Sequence, residues 1–209
     1  YSEHQTSKSI IESVHYDREK YINDFKKFIS SDKTAYAFVG KSGIGKTNIL
    51  YSVIKKYANN YPVLFYNSGL LNESFQRSLV QDFNFLYRRE YKFNDLIERI
   101  DNICKETNKK LFIIIDGLDE SNDRNYLKQE INDLAKKVYK SHISLILTCK
   151  TNDEVKDIWY GFTHHKGTEN FLGQTVYNSS TFRMNDKLGT YVDHLDEMEL
   201  SMLWKKYKS

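Results

Sequence analysis

A glycine-rich stretch in the first quarter of the chain has the residue types and spacing of a phosphate-binding loop. It reads Gly40-Lys41-Ser42-Gly43-Ile44-Gly45-Lys46-Thr47 and fits the pattern G-x-x-x-x-G-K-[ST]. Glycines let such a loop curl so that successive backbone N–H groups point at the phosphates, and the helix that follows adds partial positive charge. The pattern predicts that Lys46 reaches the β- and γ-phosphates and that the Thr47 hydroxyl coordinates Mg²⁺.

A second group of polar residues follows an apolar segment in the middle of the chain. Asp116 directly follows the apolar residues 111–115, and Asp119 and Glu120 come shortly after it. In phosphate-loop enzymes a carboxylate at this place holds Mg²⁺ beside the loop threonine. Because clustered carboxylates repel one another unless a cation or a proton intervenes, we expect Asp119 or Glu120 to join the metal shell or to orient the attacking water. The alternative is that both acids only precede a helix whose dipole favours them.

The elements that must position these residues alternate between strands and helices. Apolar segments predict strands at residues 35–39, 62–66, 111–115, 143–148 and 191–195. Apolar residues at helical spacing predict a helix beginning near residue 18, others around residues 49–57, 75–87, 93–104 and 126–138, a short one ending near residue 160, and a closing amphipathic helix over residues 200–207. Most of residues 161–189 have no assignable pattern. This alternation predicts an α/β fold with a mainly parallel sheet flanked by helices.

The composition limits the classes of function that the chain can serve. A chain of 209 residues is one domain or one domain with a short appendage, and its formal net charge of +3 gives no strong field for nucleic acid or membrane. The longest apolar run, residues 111–115, is far shorter than a membrane span. Cys104 and Cys149 lie far apart and predict free thiols in a reducing, cytoplasmic compartment. The first residue is Tyr1 rather than Met, so we expect a portion of a longer protein.

Four segments together resemble the NACHT type of STAND NTPases, which are signal-transducing ATPases of innate immunity and phage defence. Residues 116–120 (Asp-Gly-Leu-Asp-Glu) look like the Walker B region of that class. Residues 16–19 (Tyr-Asp-Arg-Glu) look like its hydrophobic-G-R-E-x-E motif, and residues 145–150 (Leu-Ile-Leu-Thr-Cys-Lys) are similar to its sensor-1 strand. Residues 195–200 look like the passage into its helical lid. The resemblance implies a P-loop NTPase of the ASCE/STAND kind.

The resemblance also implies roles for two basic residues, at positions where this chain departs from the family pattern. Arg18 would lie close to the nucleotide, although Asp17 replaces the usual Gly and Tyr21 the final Glu of its motif. Lys150 would face the γ-phosphate in place of the usual Arg. Because Lys supplies a point charge without a bidentate fork, sensing of the γ-phosphate should be weaker or differently shaped. The family's Gly-x-Pro motif has no counterpart, since the only proline is Pro62.

The predicted organisation is an N-terminal segment with a lead-in helix at residues 1–34, a P-loop NTPase core at 35–195 and the start of a helical lid at 196–209. No stretch fits the N/T-K-x-D motif of guanine-specific GTPases, so ATP, with Mg²⁺, is the expected nucleotide. The resemblance implies a switch that ADP holds as a closed monomer and that ATP and a trigger open, which drives self-association. Effector and sensor regions would lie outside this chain.

Two other functions fit parts of the sequence. A nucleic-acid-directed ATPase of the AAA+ or origin-loader type usually has Glu directly after the metal-binding Asp, whereas Gly117 follows Asp116 here. Such an ATPase also needs a basic, aromatic surface, for which residues 87–92 are the one candidate. A small-molecule kinase needs an arginine-bearing lid, but only Arg124 and Arg183 follow Asp116. We therefore expect slow ATP hydrolysis, with no membrane or nucleic-acid partner.

Overall fold

The computed structural model describes residues 18–31, 33–150, 181–184 and 187–208, with side chains described outside 181–191 and 206–208. The helices in these ranges are α1 (Glu19–Ile29), α2 (Lys46–Tyr57), α3 (Phe75–Tyr87), α4 (Phe93–Glu106), α5 (Arg124–Lys137) and α6 (Glu197–Lys208). The strands are β1 (Ala35–Gly40), β2 (Val63–Asn67), β3 (Leu111–Asp116), β4 (Ile143–Lys150), β5 (Thr181–Met184) and β6 (Lys187–Tyr191). Short 3-10 helices follow β2 at Ser68–Leu70 and β3 at Leu118–Glu120.

The described strands form one sheet in the order β2-β3-β4-β1-β6-β5. Every neighbouring pair is parallel except the antiparallel hairpin of β5 and β6. Because β4 lies between β1 and β3, the carboxyl ends of these three strands stand side by side at one edge of the sheet. In open α/β sheets this edge is where ligands bind. The sheet therefore brings the glycine-rich loop after β1 next to the acidic segment after β3.

Two apolar cores cover the two faces of the sheet, because successive side chains of a strand point to opposite sides. Ala35, Ala37 and Val39 of β1 pack with the core formed by α3, α4 and α5, whereas Tyr36 and Phe38 pack with α1 and α2. Both β1 and β3 are buried along their whole length. The prediction of a parallel sheet with helices on both sides is confirmed.

Aromatic packing fixes helix α1 against the sheet. The ring of Phe25 is fully buried, and its centroid lies 5.4 Å from that of Tyr36 and 5.8 Å from those of Tyr57 and Phe112. Tilted and edge-on pairs of this kind add to the stabilisation that comes from burial alone. Helix α1 is therefore part of the same core as one face of the sheet.

Side-chain caps define where the helices on the other face begin. Ser74 Oγ accepts from the backbone N of Arg77 at 3.2 Å, and both carboxylate oxygens of the buried Glu130 accept from the first two amides of α3. Asp123 caps α5 by accepting from the N of Tyr126 at 2.9 Å. These bonds satisfy helix N–H groups that have no partner within the helix. They also anchor α3 on α5.

One strand prediction is wrong and one region gains elements that the sequence did not indicate. Residues 191–195 were expected to form the last strand, but β6 ends at Tyr191 because its partner β1 turns into the glycine-rich loop after Gly40. Strands β5 and β6 lie in a polar stretch without an apolar run. The four earlier strand predictions hold to within one or two residues at their ends. The predicted short helix near residue 160 lies outside the described residues.

The closing helix is present, but its apolar side chains are more exposed than an amphipathic helix would require. Helix α6 leaves Met198, Leu200 and Trp204 at least half exposed. None of the helices in the described ranges combines the length and the apolar character that crossing a membrane demands.

Candidate functional site

The glycine-rich loop adopts a conformation that requires glycine at two positions. Gly43 and Gly45 have φ values of 74° and 92°, and a Cβ at either position would meet no atom within 4 Å. Glycine is needed there for the backbone angle and not for space. Helix α2 begins immediately after Gly45 and has no side-chain cap. Its first N–H groups are therefore available to an anion, as in known phosphate-binding loops.

The first glycine of the loop has a different role. A Cβ on Gly40 would lie 2.7 Å from the backbone oxygen of Val192. Val192 itself donates its N–H to the oxygen of Val39 at 2.7 Å. Gly40 is thus the point at which the segment that leaves β6 touches the loop.

Lys46 lies folded over the loop. Its ammonium donates to the backbone oxygens of Gly40 and Lys41, both at 2.9 Å. Burial lowers the pKa of Lys46, and the negative charge of Asp119 opposes that shift. A buried ammonium held only by carbonyl oxygens is well placed to exchange them for an anionic group.

The two residues predicted to bind metal lie together. Thr47 Oγ1 donates to Asp116 Oδ2 at 3.0 Å, and Asp116 is almost completely buried. The other carboxylate oxygen, Oδ1, accepts from Thr148 Oγ1 at 2.5 Å. A hydroxyl and a carboxylate side by side form a set of hard oxygen donors, which is the set that Mg²⁺ prefers. The residues present therefore fit this metal.

Thr148 is a site residue that the sequence indicated only as part of a strand. Its hydroxyl accepts from the N of Gly117 at 2.7 Å and donates to Asp116, so it fixes both the carboxylate and the turn that follows it. Ile115 pairs with Leu147 in the β3–β4 register, which places Thr148 beside Asp116. The available signal was a hydroxyl near the end of an apolar strand, and it becomes informative only when β4 is known to neighbour β3.

The acidic turn after β3 is supported from β2. Gly117 has a φ of 72°, and its carbonyl oxygen accepts from Glu120 N and from Ser68 Oγ. Ser68 is fully buried at the end of β2. Ser68 falls between the predicted strand at residues 62–66 and the predicted helix at 75–87, and nothing in its neighbourhood indicated this contact.

Asp119 and Lys150, which the sequence assigned to separate tasks, form one ion pair. The ammonium of Lys150 lies 2.9 Å from Asp119 Oδ2, and the backbone N of Lys150 donates to Asp119 Oδ1 at 2.8 Å. Asp119 is buried, with a side-chain exposure of 3%, and the hydrogen bond to it raises the pKa of Lys150. Glu120 is farther away, with Oε1 at 3.8 Å from the Lys150 ammonium.

Arg18 binds the C-terminal segment. Its guanidinium donates to Glu199 through Nε at 3.1 Å and Nη2 at 3.2 Å, and to the carbonyl oxygens of Asp193 and His194. The same group stacks over the Tyr21 ring at 4.6 Å, and the Tyr21 hydroxyl accepts from Asp193 N. Among the described residues, the hydrogen bonds of the Arg18 side chain all go to Tyr21 or to residues 193–199. Its expected proximity to nucleotide stays a prediction.

Comparison with known families and structures agrees with this arrangement. The model of the NACHT domain family matches residues 35–169. A search of curated proteins finds no match.

Three solved structures have similar folds. A Walker-type ATPase of Pyrococcus abyssi has a TM-score of 0.59 at 14% identity, with 91% of this chain and 57% of that chain covered. The Aeropyrum pernix ORC2 protein, in ADPNP–ADP complexes, has a TM-score of 0.57 at 12% identity, with coverages of 90% and 49%. The Aeropyrum pernix ORC1 protein in complex with DNA has a TM-score of 0.57 at 11% identity, with coverages of 94% and 48%. At these identities the likeness concerns the fold, and the chain spans about half the length of these structures.

Proposed function

Because the chain belongs to the NACHT domain family, we propose that it is the ATP-binding and slowly hydrolysing module of a signalling switch. The observation that carries this proposal is the hydrogen bond between Thr47 and Asp116. It joins the end of the phosphate loop to the end of β3, so that a phosphate group and a metal ion would share one edge of the sheet.

Each part of the site has a distinct task in this proposal. The amides of residues 43–47 and the Lys46 ammonium bind the phosphates, and Thr47 and Asp116 hold Mg²⁺. When bound, Mg²⁺ would neutralise the negative charge that develops on the phosphates. Asp119 or Glu120 orients the attacking water, and Lys150 responds to the γ-phosphate. The chain's contribution is mainly positioning and electrostatic stabilisation, as in other phosphoryl-transfer sites.

We propose the switch function from the family and from the contacts that join the phosphate loop to residues 192–199. ADP would hold a closed monomer, whereas ATP and a trigger would open it and promote self-association through the core. Residues 196–209 would begin a helical lid, with effector and sensor regions outside this chain. The family resemblance is the ground on which we propose a role in cytoplasmic innate or anti-phage defence. The contacts from Gly40 through Val192 to the Arg18–Glu199 pair support a link between the loop and this lid.

Replacing the loop lysine tests nucleotide binding. Lys46→Ala should abolish detectable binding of a fluorescent ATP analogue in the presence of Mg²⁺, because the buried ammonium is lost. Lys41→Ala is the matched control, since it removes the same charge from an exposed side chain of the same loop but keeps the backbone amide. Undiminished affinity in Lys46→Ala would overturn the phosphate-loop assignment.

The turnover rate tests the switch. Unassisted switch NTPases hydrolyse at about 10⁻² per second or less, whereas ordinary enzymes reach about 1 per second or more. We expect the purified chain to fall in the slower range, in the presence or absence of nucleic acid.

A nucleic-acid-directed ATPase is the second candidate, and one surface favours it. At the end of α3, Phe85 and Tyr87 are 86% and 64% exposed, and Arg88 and Arg89 follow directly. Exposed aromatic rings beside cations are the elements from which single-strand binding surfaces are built. One similar fold was solved in complex with DNA. A rate near 1 per second that rises with single-stranded or duplex nucleic acid, and that falls when both arginines are replaced by Ala, would favour this function over the switch.

A further inference from the structure

We infer that Lys150 holds Asp119 in an inactive ion pair, and that the γ-phosphate of a bound nucleoside triphosphate opens this pair by drawing the Lys150 ammonium away. The inference rests on the proposed function, because it concerns the regulation of the same site. It makes Asp119 a base that is released only when there is a γ-phosphate to hydrolyse.

The first part of the argument is that Asp119 is fully engaged. One oxygen accepts from the backbone N of Lys150 at 2.8 Å and the other lies 2.9 Å from its ammonium. Each carboxylate oxygen is thus already bonded to Lys150, so an attacking water would have to share an oxygen with this residue. Because Asp119 is buried, this pair is screened by solvent less than an exposed pair would be.

The second part is that Lys150 lies where a γ-phosphate would compete for it. Lys150 pairs with Gly40 in the β1–β4 register, so the end of β4 stands beside the start of the phosphate loop. Lys46 donates to the oxygen of the same Gly40 at 2.9 Å, so the ammonium that would bind the phosphates and the end of β4 meet at one residue of the loop. A terminal phosphate carries about two negative charges near neutral pH, against one on Asp119. The four-carbon stem of Lys lets its charge move between two such partners.

The third part is that only the triphosphate can make the exchange. ADP has no γ-phosphate, so Lys150 keeps its bonds to Asp119 and the base stays blocked. In the triphosphate state the freed Asp119 accepts a proton from water, while the water oxygen bonds to the γ-phosphorus. The bond from that phosphorus to the bridging oxygen breaks and its electron pair stays on ADP. The proton then passes from Asp119 to solvent, which leaves ADP, inorganic phosphate and a proton.

The test compares affinities for adenylyl imidodiphosphate, a non-hydrolysable triphosphate, and for ADP by calorimetry on the purified chain with Mg²⁺. In Asp119→Asn the amide oxygen can still accept from the backbone N of Lys150. The amide NH₂ then replaces the oxygen that pairs with the Lys150 ammonium, and because it is a donor it cannot hold the ammonium in place. We expect the affinity for the triphosphate to rise about tenfold, within the usual range of pairwise coupling, and the affinity for ADP to change by less than about twofold.

A double-mutant cycle separates this exchange from a general charge effect. In the Lys150→Met background, Asp119→Asn should add nothing, because no ammonium is left to release. Asp123→Asn is the matched control: it removes the charge of an exposed acid in the same segment, its side-chain oxygen can still accept from the N of Tyr126, and it should change the triphosphate affinity by less than about twofold. Asp119→Ala carries the same expectation as Asp119→Asn if the latter does not fold.

The remaining outcomes contradict the inference in different ways. An equal gain from Asp119→Asn with and without Lys150, or an equal gain from Asp123→Asn, would mean simple relief of repulsion between carboxylate and phosphate. A loss of affinity for both nucleotides would mean that the ion pair only supports the site. If the unmodified chain bound neither nucleotide, the proposed function itself would fail, and that result would be distinct from all of these.

Discussion

The Thr47 hydroxyl donates to Asp116 Oδ2 at 3.0 Å across 69 residues of sequence. Thr47 lies in the first turn of α2, which follows β1, and Asp116 is the last residue of β3; β1 and β3 are not neighbours in the sheet. The contact exists because only β4 lies between β1 and β3, and because these three strands run in the same direction. Through this hydrogen bond the phosphate loop and the acidic segment that ends β3 form one site.

Thr148 should be a positioning residue for Asp116. Thr148→Val keeps the shape of the side chain but removes the hydroxyl, which leaves Gly117 N–H and one Asp116 oxygen without their partner. We expect the free energy of unfolding to fall by about 1–3 kcal/mol and ATP turnover to fall more than nucleotide affinity. Chemical denaturation and steady-state kinetics provide the two measurements.

The control for this change lies on the same strand. Ser144→Ala also removes a buried hydroxyl from β4, but at the end of the strand that lies away from the site. It should leave turnover unchanged. If turnover falls equally in Thr148→Val and Ser144→Ala, Thr148 has no special role at Asp116.

The Arg18–Glu199 pair should contribute to stability because both side chains are largely buried. Glu199→Gln leaves the guanidinium without its charged partner, at a cost of about 3 kcal/mol, as when one member of a buried ion pair is removed. Asp193→Asn is the control, since its carboxylate forms an exposed pair with Lys20 at 3.5 Å, which we expect to contribute less than about 1 kcal/mol. Urea denaturation compares the two, and similar losses would mean that the buried pair is not special.

Two glycines of the phosphate loop should respond differently to an added methyl group. Gly40→Ala places a Cβ 2.7 Å from the Val192 oxygen, and overpacking of this kind costs about 1–3 kcal/mol. Gly43→Ala meets no atom, so its cost comes only from the left-handed backbone and should be about 1–2 kcal/mol.

A structural probe distinguishes these two glycine variants. Hydrogen exchange of the Val192 amide, which donates to Val39, should accelerate in Gly40→Ala and not in Gly43→Ala. Equal protection of that amide in both variants would contradict the role assigned to Gly40.

Neither cysteine should react in the folded protein. Burial raises the pKa of Cys149 to about 12, so at pH 8 only about one thiol in ten thousand is ionised, and burial raises the pKa of Cys104 as well. The thiolate fraction increases only as the pH approaches the raised pKa. A thiol reagent at pH 8 should therefore count both thiols in denaturant and neither in buffer. Rapid reaction of one thiol in buffer would show that its part of the core opens readily.

The sequence by itself determined the features that are written in contiguous residues. The phosphate loop, the strand that ends at Asp116 and the spacing of apolar residues in α1 to α5 are local patterns, and the matching elements formed where those patterns predicted them. The hairpin of β5 and β6 escaped prediction because its residues are polar. Strand β6 is held there by backbone pairing to β1, which leaves no signal in side-chain hydrophobicity.

Only the tertiary structure decided which charged groups meet. The sequence gives Asp119 and Lys150 separate places, and Arg18 no partner, because a side chain's neighbours depend on strand order and on the direction of each turn. The fold puts β4 between β1 and β3, which brings Lys150 to Asp119 and Thr148 to Asp116. It also places Glu199, 181 residues away, against Arg18. Because the energy of a charge pair falls with distance, and exposed charges are largely screened beyond about 10 Å, these distances set the chemistry of the site together with the residue types.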